Sequence, residues 1–527
     1  MLDAFVATAN RWGFQAHKQP DGYYAYAEVG TGKRIIDIPG HGDVVDAGNP
    51  ADWDNGDPWK LETKTLPDGT VVFVGRGVAD DKGSTLVAMR AAAALAKIID
   101  PSYKIRVPFF VDEERGEWDD VKLFLKEQAV PEFAFVPDAF WPPIGGEQDI
   151  NMVTIDALSD VPPMQIESSG KPHQNSITIK HLTTFKNPKN TIPDLFQVKV
   201  GTDHPEAVGQ LEKLLREKIG DRVAIHYNTE EKSVTFTIKG EKAHSSMPWA
   251  GTLSAVLLFT WAVEDVSYMF TDNPASRALR LVREVGYDSA GAKLFGKDNS
   301  PMQNGINTVN IGVLNADRQK VEIGVDVRIR QTLTIENVDT AIEAAAGRAG
   351  LKVNPAKAGK LGGIHVPPDS IPLLTALEAY KRWTGDKDAV PQTIGGGTFA
   401  RAFQAAGAQA VACGLFPPYQ RVTDHITNEY VPLHMLQLGA LTYLDMLAAL
   451  AGDPKKLMAI GSAADPLTMS TTTGRMAGFA ANRGMMLPFL SNPNLAEKMP
   501  PSGELLRHAE ESLLTVEQRL AKMAEKK

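Results

Sequence analysis

Short apolar runs separated by helical stretches give the first third of the chain its texture. Arg34-Ile35-Ile36-Asp37-Ile38, Thr70-Val71-Val72-Phe73-Val74, Lys104-Ile105-Arg106-Val107-Pro108-Phe109-Phe110-Val111 and Phe133-Ala134-Phe135-Val136 are of strand length and rich in β-branched and aromatic residues. Several are apolar at consecutive positions, as strands covered on both faces are. Between two of them, Gly83 to Ile99 is rich in Ala, Leu and Met and predicts a buried helix. Strand and helix in alternation predict an α/β fold, with a mixed, mainly parallel sheet covered by helices.

From about Val153 the pattern turns to alternating strands, Ser176-Ile177-Thr178-Ile179-Lys180 and Ser233-Val234-Thr235-Phe236-Thr237-Ile238, followed by helices and by strands at Thr308 to Ile311 and Val321 to Arg328. This predicts an inserted α+β domain. A Gly/Pro-rich stretch at Leu361 to Pro368 marks the return, and the helix Leu373 to Thr384 and a strand at Val411 resume the first texture. The expected organisation is a discontinuous first domain, residues 1–152 and 364–450, with the insertion at 153–363. An extension at 451–527 is rich in Gly, Pro, Asn, Thr and Met as far as Pro501 and ends in an amphipathic helix. There Leu506, Ala509, Leu513, Val516, Leu520 and Met523 recur three and four apart behind Ser502 as N-cap, and such a helix needs an apolar partner surface.

At 527 residues the chain is too long for one core, and 43% apolar with 23% charged residues is the profile of an ordinary soluble globular protein. The net charge of -9 is spread along the chain without the basic stripe that a phosphate backbone requires, so nucleic acid is not an expected partner. The only cysteine, Cys413, lies in an apolar run and reads as core packing. That rules out an intrachain disulfide and a thiolate metal cluster, so any metal site must use His and carboxylates. The start, Met1-Leu2-Asp3-Ala4-Phe5, lacks a basic segment followed by an apolar one, and the apolar stretch around Leu253 to Val263 is too short to span a bilayer. A cytoplasmic protein with no membrane partner is the expectation.

Acidic and His residues gather where the predicted strands end. Gly40-His41-Gly42-Asp43 follows Ile35 to Ile38, and Asp80-Asp81 follows the strand and turn ending Gly75-Arg76-Gly77. Asp112-Glu113-Glu114 follows Phe109 to Val111, and Asp138 follows Phe133 to Val136. Loops beyond the carboxyl ends of strands in an open α/β sheet converge on one crevice, so the four clusters are expected to meet. A lone His-x-Asp is more often a surface pair and a lone Glu-Glu a solvated face; their joint occurrence after successive strands points the other way. So many carboxylates together would push one another's pKa upward at a cost in stability, a conflict that divalent cations remove. Imidazole with carboxylate oxygen suits Zn²⁺, Mn²⁺ or Co²⁺, and two cations about 3.5 to 4 Å apart sharing a carboxylate are a common hydrolytic design.

Gly40-His41-Gly42-Asp43-Val44-Val45, Gly75-Arg76-Gly77-Val78-Ala79-Asp80-Asp81-Lys82-Gly83 and Asp112-Glu113-Glu114, in this order and spacing, resemble the metallopeptidase family M20. Val136-Pro137-Asp138-Ala139, Gly395-Gly396-Gly397-Thr398-Phe399-Ala400-Arg401 and the later His425 resemble its PepV-like dipeptidase branch, and the resemblance runs from roughly Gly22 to Ala449. It implies a peptidase with two divalent cations per chain, zinc first, with manganese or cobalt accommodated by the same donors. His41 and Asp138 are implied to hold one cation, Glu114 and His425 the other, and Asp80 to bridge both. Asp43 is implied to orient His41, as a ligand imidazole requires. Glu113 is implied to be the general base, taking a proton from water and later delivering one to the leaving amine.

The inserted domain is implied to close over the substrate as a lid and to supply two further residues. His244, in Gly240-Glu241-Lys242-Ala243-His244-Ser245-Ser246-Met247-Pro248, resembles the histidine that stabilises the tetrahedral oxyanion. Arg328, in Val325-Asp326-Val327-Arg328, resembles the arginine that holds the substrate's terminal carboxylate, a task suited to a planar guanidinium. Without the resemblance His244 reads as a loop histidine and Arg328 as a strand-edge charge. Three glycines alone mark a turn; the resemblance implies that Gly396, Gly397 and Thr398 line the pocket for the substrate's C-terminal end.

The implied reaction is hydrolysis of short peptides, dipeptides first. A deacylase of N-acyl amino acids or a carboxypeptidase would keep the same metals. A non-catalytic binding protein of the same fold would be expected to have lost Glu113, Asp80 or a histidine ligand, and all are present. One chain is expected to complete its own site, which favours a monomer. The chain departs from the family in two places: only Leu2 to Phe14 precedes the His-x-Asp strand where family members have a helical segment, and the extension from about Gly452 has no counterpart. One expectation joins the two, that the helix from Gly503 to Met523 occupies the surface the missing segment would cover.

Overall fold

The computed structural model describes residues 1–453 except 101, 117, 157–169, 247–252, 287–290, 296–306, 330–332, 354–358 and 417–422. The helix expected from Gly503 to Met523 lies outside the described residues. Two compact units, each with its own apolar core, make up the chain. Of the described residues, the first comprises Met1–Gly146, Ile364–Thr393 and 397–453; the second comprises Glu147–Gly363 with Ile394–Gly396.

The first unit opens with α1 (Leu2–Arg11), β1 (Gln15–Lys18), β2 (Tyr24–Gly30), β3 (Arg34–Asp37) and β4 (Gly40–His41). Next come β5 (Glu62–Thr65), β6 (Val71–Val74), α2 (Lys82–Leu95), β7 (Tyr103–Phe110) and β8 (Phe133–Val136). The centre of its main sheet is parallel: β3 lies between β7 and β8, and β8 pairs with Gln409–Ala412. The rim is antiparallel, with β2 on β7 and β1 on β2. β7 and β8 are buried along nearly their whole length, which is why their sequences carry apolar residues at consecutive positions. The alanines of α2 let Leu433–Ala451 approach closely, and that helix packs in turn on Ile371–Thr384. At 19 residues Leu433–Ala451 is long and apolar enough to cross a membrane by length and composition; most of it is buried in this core.

β6 is not part of the main sheet. It pairs with β5 and with Tyr430–Pro432 in a separate three-stranded sheet, so Asp80 and Asp81 enter at the start of α2 and not from the end of a strand of the main sheet. Ahead of the His-x-Asp strand, α1 packs on β1 and β2. Leu2, Phe5 and Ala9 are buried, and Phe5 stacks on Phe109 of β7 with ring centroids 4.6 Å apart. β1 has no apolar run to announce it, because as the edge strand it is exposed or half-exposed along its whole length.

The second unit is built on a nine-stranded sheet. Its strand order is Val223–Asn228, Ser233–Lys239, Leu195–Gly201, Ile179–Thr183, Thr308–Asp317, Val321–Ile329, Asp149–Asp156 and Lys352–Val353, with Gly359–Leu361 also on Asp149–Asp156. Every pairing is antiparallel. The strand expected at Ser176 to Lys180 begins only at Ile179, because Ile177 is drawn into an isolated bridge with Phe270. The helices Pro205–Ile219, Ala255–Ala262, Pro274–Val285 and Ile335–Arg348 bury their apolar faces in this unit's core. Two of them start with capping boxes, Asn273 with Ser276 and Thr334 with Asn337.

Candidate metal centre

His41 ends β4, level with Phe110 of β7, and its fully buried ring has Phe399 edge-on at 6.3 Å. The residue before it has to be glycine, since a Cβ on Gly40 would lie 1.8 Å from Thr85 Oγ1 and 2.7 Å from Asp81 Oδ2. That close approach sets β4 against the start of α2, where Asp80 and Asp81 stand. The buried Asp81 carboxylate accepts the hydroxyls of Ser84 and Thr85, and burial pushes its pKa up to about 6.

Asp80 faces two imidazoles. Its Oδ1 lies 3.0 Å from His41 Nε2 and its Oδ2 lies 3.0 Å from His425 Nε2. Asp138 Oδ2 is 3.8 Å from the same His41 nitrogen, and Glu114 Oε2 is 3.2 Å from that of His425. Two ligand groups sharing Asp80 result, His41 with Asp80 and Asp138, and Asp80 with Glu114 and His425, the ligand atoms of each lying within 4.8 Å of one another. His41 Nδ1 is 3.1 Å from the Asp43 carbonyl oxygen; donation to that acceptor leaves the Nε2 lone pair on the Asp80 side. Nitrogen and oxygen donors around one shared carboxylate fit a pair of divalent cations.

The electrostatics make the same demand. Burial would raise the Asp80 carboxyl, but the histidines on either side outweigh it and hold the group well below its usual range. Burial opposes charge on His41 and His425, yet the carboxylates around them carry both well above the usual imidazole value. Burial drives Asp138 well up, with Asp80 and Glu113 adding to it. Burial does the same to Glu113, with His41 opposing and Glu114, Asp80 and Asp43 adding. The protein by itself must distribute protons over a crowded acidic cluster, and bound cations would supply the missing positive charge.

Glu113 belongs to neither ligand group. Its backbone N–H and that of Glu114 donate to the two oxygens of Asp43 at 3.2 and 3.1 Å. Asp43 Oδ1 is 3.4 Å from His41 Nδ1, farther than the Asp43 carbonyl oxygen, so the Asp43 carboxylate positions the Glu113-Glu114 turn at least as directly as the imidazole. Glu114 divides its carboxylate, Oε1 accepting the Val45 N–H at 3.1 Å while Oε2 faces His425.

Sequence reasoning overlooked Glu429. Its buried carboxylate accepts Arg76 Nη1 at 2.7 Å and the backbone N–H groups of Gly77, Ala79 and Asp80 at 2.9, 2.8 and 3.2 Å. One side chain thus fixes the turn that presents Asp80, from a position four residues after His425. Only that proximity to His425 could have pointed to it. Lys82, also overlooked, donates to the Gly42 carbonyl at 3.1 Å among the charges of Glu429, Asp80, Asp81 and Asp43.

The second unit holds a polar cluster of its own. Asp326 and Arg328, two apart on the strand Val321–Ile329, share one face of the sheet. Asp326 Oδ2 accepts Arg328 Nε at 3.1 Å, Arg328 Nη2 at 2.8 Å and Ser245 Oγ at 2.5 Å, while Arg328 Nη1 donates to the Gly395 carbonyl at 2.7 Å. Asn310, opposite Asp326 in register, donates to the carbonyls of Lys189 and Thr191, and Thr191 pairs with His244. His244 Nδ1 lies 2.6 Å from the Ser246 hydroxyl and 3.3 Å from the Ser246 backbone N–H, so Ser246 holds this side of the ring. Gly396 is half-exposed in this unit, and Gly397 is half-exposed in the first. Thr398, in the first unit, is buried and its hydroxyl accepts the Ala400 N–H at 3.1 Å, so that oxygen is engaged at the start of the helix Ala400–Ala405.

The family model described as peptidase family M20/M25/M40 matches residues 38–449. A dipeptidase-named protein of Staphylococcus saprophyticus is 25% identical over 452 residues, which are 85% of this chain and 89% of its own. Another, from Staphylococcus aureus, is 26% identical over 455 residues, 85% of this chain and 90% of its own. Among solved structures, an M20 family metallo-carboxypeptidase from Sulfolobus solfataricus matches with a TM-score of 0.46 and 13% identity, over 85% of this chain and 92% of that one.

Proposed function

This chain belongs to peptidase family M20, and from that premise we propose that it hydrolyses short peptides, dipeptides first, at two divalent cations held by His41, Asp80, Glu114, Asp138 and His425. The observation that carries the reading is the shared carboxylate of Asp80, with an imidazole 3.0 Å from each oxygen and one further carboxylate completing each group. Zinc is the first candidate, and manganese or cobalt suits the same donors.

Bound cations would polarise the scissile carbonyl and lower the pKa of water at the centre. Glu113, outside both ligand groups, takes the proton of the attacking water and delivers it to the leaving amine. Asp43 keeps Glu113 and Glu114 in register through their backbone N–H groups. His244 donates a ring N–H to the developing oxyanion, and Arg328 takes the terminal carboxylate of the substrate. Ser245, next to His244, and Arg328 bond to the same oxygen of Asp326, which favours a substrate whose carboxylate lies close to the bond being cut. Dipeptides, N-acyl amino acids and the last residue of a longer peptide share that feature, and the names of the relatives favour dipeptides.

The test is cation content per chain, with activity restored metal by metal on a panel of dipeptides, tripeptides and N-acyl amino acids. Turnover confined to N-blocked substrates would replace the dipeptidase reading with a deacylase. Glu113→Gln is expected to lower kcat by about a hundredfold or more with cation stoichiometry unchanged, and retained activity would remove Glu113 as the base.

A further inference from the structure

We infer that Asp326 is a positioning residue for substrate recognition: it sets the Arg328 guanidinium as a receptor for the carboxylate of a peptide's C-terminal residue, and ties that receptor to the segment carrying His244. The inference rests on the roles proposed above for Arg328 and His244, and it assigns a task to a residue that touches neither cation nor substrate.

Asp326 is fully buried and Arg328 is 3% exposed, so neither charge is solvated by water. A guanidinium presents five N–H donors in a rigid fork. Asp326 Oδ2 takes two of them, Nε and one on Nη2, and the Gly395 carbonyl takes a third from Nη1. Among the described residues both Nη atoms therefore keep one N–H each for a ligand, on a group whose orientation is already set. Such a receptor loses little freedom when a carboxylate arrives, which is the condition for selective recognition. Gly395 has to be glycine for its carbonyl to come this close, since a Cβ there would lie 2.8 Å from Ser246 Cβ and 3.4 Å from Arg328 Cγ.

The same Asp326 oxygen accepts the hydroxyl of Ser245, the residue after His244. The arginine and the histidine segment are thus joined through a single atom. Asp326 Oδ1, by contrast, is buried without a hydrogen-bond partner among the described residues. Stability alone does not account for that pattern: a buried ion pair with an unsatisfied oxygen is commonly no better than an apolar pair of the same size. What the pattern does achieve is to place Arg328 and Ser245 at a set separation.

The experiment compares alanyl-alanine with its C-terminal amide on the metal-loaded, full-length enzyme, in the wild type and in Asp326→Asn. The wild type is expected to prefer the acid through a lower KM. In Asp326→Asn the KM for the acid is expected to rise about tenfold or more while kcat changes less, and the preference for acid over amide to shrink by a similar factor. In an Arg328→Lys background the Asp326→Asn change is expected to have little further effect on that preference, as two residues acting as a unit require. A general loss of folding would lower kcat for acid and amide alike and leave the preference intact. If Asp326→Asn does not fold, Ser245→Ala tests the other half of the link: with the thermal unfolding midpoint and cation content unchanged, kcat is expected to fall for both substrates with the preference retained, and an unchanged kcat overturns the inference. A wild type indifferent to the amide removes the role of Arg328 and the inference with it. A wild type that discriminates, with Asp326→Asn discriminating equally, overturns the inference alone.

Discussion

Asp80 and Asp81 are neighbours in the chain, yet their carboxyls are displaced in opposite directions. Asp80 meets two imidazoles and is held well below its usual range; Asp81 meets hydroxyls in a buried pocket and is pushed up to about 6. Residue type did not decide this, surroundings did. Glu429 makes the surroundings of Asp80, collecting Arg76 and three backbone N–H groups on one carboxylate. Glu429→Ala would leave those donors buried and a guanidinium unpaired. It is expected to destabilise the first unit by roughly 3 kcal/mol or more and to weaken cation binding about tenfold or more, read by urea unfolding and by metal titration. Wild-type cation affinity in that variant would mean that the turn presenting Asp80 holds itself.

At the scale of elements, three of the site's segments leave the sheet together, after β3, β7 and β8, which run parallel. The fourth arrives from the start of α2, after a small sheet that also includes Tyr430–Pro432. Glu429 and Tyr430 therefore carry the chain from the His425 loop back to the turn before Asp80, so the two ligand segments are built against each other. The sheet beneath needs its rim closed, and α1 does this with few residues. Phe5→Ala removes the ring stacked on Phe109 and is expected to cost about 3 kcal/mol in denaturant unfolding, with cation content of the folded protein unchanged. A loss below about 1 kcal/mol would mean that α1 is not part of the working cover.

At the scale of the molecule, two separate cores predict two responses to chelation. Cations that bind the folded first unit stabilise it by mass action, about 4 kcal/mol at a thousandfold excess over Kd. Removing them with a chelator is expected to lower the first unit's thermal midpoint by several degrees and to leave that of the second in place, as two calorimetric transitions would report. One transition moving as a whole would show that the cores unfold together. The apolar runs at Ile35, Val107 and Phe135 were legible because strands buried on both faces carry the signal in their own composition. So were His41, Glu114 and Asp138 as a set, since each stands just past such a run; His425 rested on resemblance. β1 was not legible, because an edge strand exposed along its length has no apolar run, and the sheet to which β6 belongs depends on a partner more than 350 residues away in the chain. Glu429 and Asp326 were silent for the same reason. A carboxylate in sequence is a charge of unknown company, and only the folded chain decides whether it meets water, a cation, or the backbone it holds in place.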